Sequence, residues 1–230
     1  MKRFALILAA ASLLPSSTLL AQNANFLSDY SKLASDDNSG FTLHYIAPGG
    51  ADRLANITGI MVDQPEIFLA PDSKYKGFKA SDALEVSEIL RAAVIEGIQG
   101  SMPVVDEATE GTALFSWAVT NIRLEKKKRG ILGYTPVGAV AYGVKTQMSD
   151  VVDKTRAFDA RIEVEVTDAI TGEVLFAMVF DVVEAGVEAE WGQALILAEG
   201  LGRRVGCRIN NSRLDPEDRA DCLAIPVSVQ

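Results

Sequence analysis

Phe158-Asp159-Ala160-Arg161-Ile162-Glu163-Val164-Glu165-Val166-Thr167 runs through Thr171-Gly172-Glu173 into Val174-Leu175-Phe176-Ala177-Met178-Val179-Phe180-Asp181-Val182-Val183. In the first half apolar and polar residues alternate, so Phe158, Ala160, Ile162, Val164 and Val166 share one face of a strand and Asp159, Arg161, Glu163, Glu165 and Thr167 the other. The glycine-centred turn folds the second half back as an antiparallel partner. A hairpin of this pattern predicts a sheet with one face on a core and one face in water.

Working outward, Thr112–Glu125 and Met102–Val105 read as further strands. Phe41–Ile46 and Gly59–Ala70 are rich in β-branched and aromatic residues, broken by Pro48-Gly49-Gly50 and near Gln64-Pro65, and predict early strands. Two segments have helical period. Val86, Ile89, Leu90, Ala93, Val94 and Ile98 follow a capping pattern of Asp82 and Glu85 and stop at Gly100 and Pro103. Val187, Trp191, Ala194, Leu195, Ala198, Leu201 and Val205 form the second stripe. With no solenoid repeat and no regular strand–helix alternation, the expected class is α+β: one domain, a mainly antiparallel sheet with two amphipathic helices packed on one face.

Met1-Lys2-Arg3 precedes an apolar run from Phe4 to Leu14, then Pro15-Ser16-Ser17-Thr18 and Ala21. A basic start, an apolar stretch too short to anchor and a small residue at the cut read as a secretory signal peptide over 1–21. The expected divisions are a lead-in segment over 22–40, with a short helix suggested by Phe26, Leu27, Tyr30 and Leu33, an α+β domain over 41–210, and a tail over 211–230. Export places Cys207 and Cys222 in an oxidising compartment, and a disulfide between them would close a loop and pin the tail, stabilising the fold by about 3 kcal/mol. No second apolar run is long enough for a transmembrane helix once the leader is removed.

The formal net charge is −9, and more negative without Lys2 and Arg3. An acidic chain lacks the basic face that nucleic acid requires, so nucleic acid is not an expected partner. A single histidine, His44, and two distant cysteines cannot assemble a zinc or copper centre, and no metal or cofactor is expected. His44 would have to serve any Ser-His-Asp or Cys-His mechanism, but no nucleophile elbow accompanies it. Glu163 and Glu165, two apart on one strand and so roughly 7 Å apart, are the carboxylate pair a glycosidase would need, yet they fall on the face read as solvated. Asp106, Glu107 and Glu110, and likewise Asp63, Glu66 and Asp72, read as turn residues. Lys74 and Lys76 precede the first long helix, where an anion could bind, but a plain connection is the simpler reading.

Lys126-Lys127-Lys128-Arg129 is the one dense basic run, and it leads into the glycine-rich, apolar stretch Gly130-Ile131-Leu132-Gly133-Tyr134-Thr135-Pro136-Val137-Gly138-Ala139-Val140-Ala141-Tyr142-Gly143-Val144. A cationic edge beside an apolar, aromatic-bearing loop suits docking on anionic lipid or a partner protein. Lys126, Lys127, Lys128, Arg129, Ile131, Tyr134 and Tyr142 are therefore the candidate binding residues. The competing reading is a solvated strand end whose glycines let the segment pack beneath the second helix.

Four segments, Phe26-Leu27-Ser28-Asp29-Tyr30, Pro71-Asp72-Ser73-Lys74-Tyr75-Lys76-Gly77, Pro103-Val104-Val105-Asp106 and Tyr134-Thr135-Pro136-Val137-Gly138, resemble a bacterial family of exported proteins known as domain of unknown function 3313. The resemblance implies a compartment and no activity. Family members are commonly described as lipoproteins, and this chain departs from them in having Gln22-Asn23-Ala24 and no cysteine after the expected cut.

The function expected is that of a non-enzymatic periplasmic or cell-envelope accessory protein that binds an envelope protein or membrane surface through Lys126–Val144. The alternatives are a carboxylate-dependent envelope hydrolase using Glu163 and Glu165, and a small-ligand carrier with an apolar cavity between sheet and helices.

Overall fold

The computed structural model describes residues 26–36, 41–126, 155–158, 160–182, 191–222 and 224. Its strands are β1 (Ala34–Asp36), β2 (Phe41–Ile46), β3 (Gly59–Val62), β4 (Glu66–Leu69), β5 (Thr112–Lys126), β6 (Thr155–Phe158), β7 (Arg161–Asp168) and β8 (Val174–Asp181). The helices are α1 (Gly50–Ala55), α2 (Ala80–Gln99) and α3 (Trp191–Asn211). The fold is α+β. Strands run in the order β1-β2-β8-β7-β5-β3, with β4 and β6 also paired to β5.

The β7–β8 hairpin forms as its alternation predicts, turning at Gly172, whose φ of 71° suits a residue without a Cβ. The expected strand over 158–167 is two strands, β6 and β7, both antiparallel to β5. The other pairings are antiparallel except those of β3 and β4, which run parallel to β5, so the sheet is mixed. Parallel strands need a crossover, and α2 supplies it between β4 and β5. Met102–Val105 is no strand: its one ladder contact is the bridge of Val104 to Ile60. Pro103 cannot donate to a ladder, which confines the stretch to lying along the outer side of β3.

β5 is the axis of the sheet, and it changes phase in the middle. Ala113, Phe115 and Trp117 are buried on one side of the break, Ile122 and Leu124 on the other, an odd series followed by an even one. Asn121, with φ 55°, takes up the extra residue, and the register with β4 shifts between Ile67–Val119 and Leu69–Ile122. This is a β-bulge on a residue type that tolerates the left-handed region. It keeps the apolar residues of a 15-residue strand on the same core.

Both long helices cover this face, as expected. Val86, Leu90, Val94 and Ile98 of α2 and Leu197, Ala198, Leu201, Val205 and Ile209 of α3 are buried in one cluster with Phe115, Trp117, Val164 and Val166. Ala194 and Leu195 are half-buried; Val187 and the side chain of Trp191 lie outside the described residues. Asp82 does not occupy the N-cap of α2. It is three residues inside, and its carboxylate accepts the backbone N–H of Lys79, the N-cap, at 2.8 Å. A Cβ on Gly97 would collide with the Glu199 carbonyl of α3, and one on Gly202 with the Val94 carbonyl of α2, so these glycines set the close approach of the two helices.

The opposite face departs from expectation. Residues 26–33 lie across it and bury Leu27 against Ala177 and Val179, with Phe26, Tyr30, Leu33, Leu43 and Tyr45 around them. The expected lead-in helix is only a 3-10 turn over Tyr30–Lys32, capped by Asp29, and β1 follows it into the sheet. Strand alternation distinguishes two faces; it carries no information about a third element that covers the polar one.

Candidate functional site

β7 sets Arg161, Glu163 and Glu165 in a row on the face under the 26–33 strap. The expectation that Glu163 and Glu165 form a solvated pair is overturned: Glu163 is fully buried. Its Oε1 accepts the Thr120 hydroxyl at 2.8 Å and its Oε2 accepts the Tyr30 hydroxyl. Tyr30 in turn accepts the backbone N–H groups of Phe26 at 3.0 Å and Leu27 at 3.2 Å. Glu165 accepts both the N–H of Ser28, at 3.0 Å, and its hydroxyl, at 2.5 Å. Arg161 is turned to Asp181 through Nε at 2.6 Å and Nη2 at 3.2 Å, and this ion pair raises the guanidinium further above its ordinary value.

Burial and then the Glu163 carboxylate hold the Tyr30 phenol protonated, its pKa pushed up to about 12 from 10.0. Asp29 is held below the ordinary carboxylate value by its hydrogen bonds from Ser31 and by Lys32. Lys32 also sits 5.6 Å over the Tyr45 ring. The two carboxylates thus carry the strap in place, Glu163 committed to two hydroxyl donors and Glu165 to a hydroxyl and an N–H. A hydrolase pair needs one acid and one base open to substrate and water. Sequence reasoning missed Tyr30, Ser28 and Thr120 as their partners; the only signal was the pair of acids at positions that alternate with a buried series.

Of the seven candidate binding residues, Lys126 is exposed at the end of β5, where it is the register partner of Thr155 on β6. Lys127, Lys128, Arg129, Ile131, Tyr134 and Tyr142 lie outside the described residues. Cys207 and Cys222 are joined in a disulfide with Cα atoms 5.7 Å apart. Asn211 braces the same tail, donating to the Ala220 carbonyl at 2.8 Å and accepting the Ala220 N–H at 3.0 Å.

The remaining candidates stand apart. His44 is in β2 with Nδ1 buried and unpartnered, whereas a catalytic imidazole has that atom oriented by a carboxylate. Asp106, Glu107 and Glu110 are exposed on the connection before β5. Asp63 accepts the Ser116 hydroxyl at 2.7 Å, Asp72 pairs with Arg123 at 3.0 Å, and Glu66 is exposed. Lys74 is paired with Glu125 and Lys76 donates to the Pro71 carbonyl at 3.2 Å, so neither is poised for an anion. Among the described residues no group of three His, Cys, Asp or Glu could hold a metal ion. An apolar cavity of about 40 Å³ lies between sheet and helices, bounded by Leu90, Trp117, Val119, Ile122, Ile162 and Leu197. Ligand pockets run from about 300 Å³ upward, so this volume is a gap in packing.

A family model described as "Protein of unknown function (DUF3313)" matches residues 22–186. No curated protein matches. Among solved structures the chain is similar to a PelC dodecamer from Paraburkholderia phytofirmans, at 12% identity over 73% of this chain and 94% of that one, with a TM-score of 0.35. No described helix is long and apolar enough to cross a membrane.

Proposed function

We propose that this chain, which belongs to that family of unknown function, is a non-enzymatic periplasmic or cell-envelope accessory protein that docks an envelope protein or membrane surface through Lys126–Val144. One observation carries the reading. Lys126 and Thr155, the described residues that bracket 127–154, are register partners on adjacent antiparallel strands. That stretch opens with the only dense basic run of an acidic chain and continues apolar and aromatic, a composition suited to anionic lipid or a protein partner. The commitment of Glu163 and Glu165 to the strap weighs against the hydrolase alternative, and the small cavity weighs against the carrier. The leader-like residues 1–21 support export.

Because β5 and β6 pair with each other up to Lys126 and Thr155, removal of Ile131–Val144 should spare folding, checked by circular dichroism and the urea midpoint. The same deletion should abolish association with the envelope fraction. Photo-crosslinking probes at Ile131, Tyr134 and Tyr142 in the native envelope should give a specific adduct. Unchanged association after the deletion, with silence at all three probes, would sink the reading.

A further inference from the structure

The face beneath the strap mixes charged, hydroxyl and apolar residues. Arg161, Glu163 and Glu165 lie beside Thr120, Ala118 and Ser116, and the apolar part is Ala118, Ala177 and Val179, flanked by Leu43 and Tyr45. Replacing buried charges by well-packed apolar residues is often neutral or stabilising. Here the hydroxyls of Tyr30 and Ser28 and the Ser28 N–H donate to carboxylates of β7, and Lys32 lies over the Tyr45 ring. Water satisfies those same acceptors when the strap leaves.

The strap is also built as a unit. Its own Tyr30 hydroxyl ties down the N–H groups of Phe26 and Leu27, Asp29 caps the 3-10 turn through Ser31 at 2.9 Å, and Lys32 closes on Asp29 at 3.3 Å. A segment ordered by its own contacts, and joined to its site by hydroxyl–carboxylate pairs more than 130 residues away in sequence, has the design of a preorganised ligand.

We infer that the sheet face under residues 26–33 is a peptide-binding site, occupied in cis by the chain's own strap and open in trans to the same segment of a second copy of the chain. Recognition rests on a serine and a tyrosine two apart, meeting Glu165 and Glu163, with Leu27 seated on Ala177 and Val179. Binding in trans is limited by how often the cis strap opens, so weakening the strap while leaving the face intact raises the apparent affinity for a competing strap.

The test uses the full chain and a fluorescein-labelled synthetic peptide with the sequence of residues 26–36, followed by anisotropy. Leu27→Ala loosens the strap and leaves every face residue in place, and it should bind the peptide about tenfold tighter than the unaltered chain. A peptide carrying Tyr30→Phe should bind at least about fivefold more weakly, as should the chain carrying Glu163→Gln in addition to Leu27→Ala. Unlabelled full-length chain carrying Glu163→Gln, with its strap unaltered and its own face weakened, should displace the labelled peptide from the Leu27→Ala chain, which distinguishes a second copy from an unrelated donor; failure to displace would overturn that occupant. Amide hydrogen exchange over Leu27–Leu33 verifies opening, with Leu27→Asp replacing Leu27→Ala if exchange is unchanged, and near-ultraviolet circular dichroism from buried Trp117 verifies the core. Opened strap, intact core and no peptide binding would overturn the inference.

Discussion

On one side of the sheet Val164 and Val166 meet two helices of 20 and 21 residues; on the other, Glu163 and Glu165 of the same strand meet a strap that follows only a 3-10 turn. The two covers are held by different physics. The helix side is dry and apolar, and its stability scales with buried area. The strap side combines a small apolar cluster about Leu27 with hydroxyls donating to carboxylates, each of those polar contacts exchanging a hydrogen bond with water for one within the protein at small net gain. The helix layer therefore carries the larger apolar core, and the strap the smaller.

Disturbing each side tests that difference. Phe115→Ala opens the helix-side core and should lower stability by about 3–5 kcal/mol, read as a shift in urea midpoint. Replacing Cys207 and Cys222 together by serine frees the tail from α3 and should cost about 3 kcal/mol by the same measurement. Under the strap, Glu163→Ala strands the hydroxyls of Tyr30 and Thr120 and should cost about 1–3 kcal/mol, with Glu163→Gln milder because its amide oxygen still accepts. A loss under the strap as large as that of Phe115→Ala would erase the distinction between the two covers.

The smallest effect is a pH dependence. The Tyr30 phenol titrates at about 12 in the folded chain against 10.0 unfolded, so its protonated form is favoured by folding. The stability it contributes is complete below pH 10 and is lost as pH rises through about 12. Denaturation of the unaltered chain and of Tyr30→Phe across that interval should converge at its alkaline end, and a difference that persists there would remove Glu163 as the partner.

Much of the helix side was legible in the sequence because apolar period is enforced by burial. The stripe from Val86 to Ile98, the hairpin about Gly172 and the strand Phe41–Ile46 appear where their patterns place them. The bulge at Asn121 was hidden, since Ala118 and Val119 let the apolar series pass from odd to even positions without a break in the strand pattern. The strap was hidden for a different reason: Phe26, Leu27, Tyr30 and Leu33 satisfy helical spacing and a 3-10 turn equally well, and their partners Glu163 and Glu165 lie more than 130 residues away. Of the candidate site, the acids were visible as residues and their commitment was not.

Read alone, the sequence determined the α+β class, the two helices on one face and a cysteine pair in position to close the tail, because hydrophobic period and loop closure are properties of the chain itself. Only the tertiary structure decided that β3 and β4 run parallel to β5, that Asn121 resets the core phase, and that the polar face of β7 is covered. Those outcomes depend on which distant segment fits a surface, and a strand's alternation records the existence of a second face without recording what lies upon it.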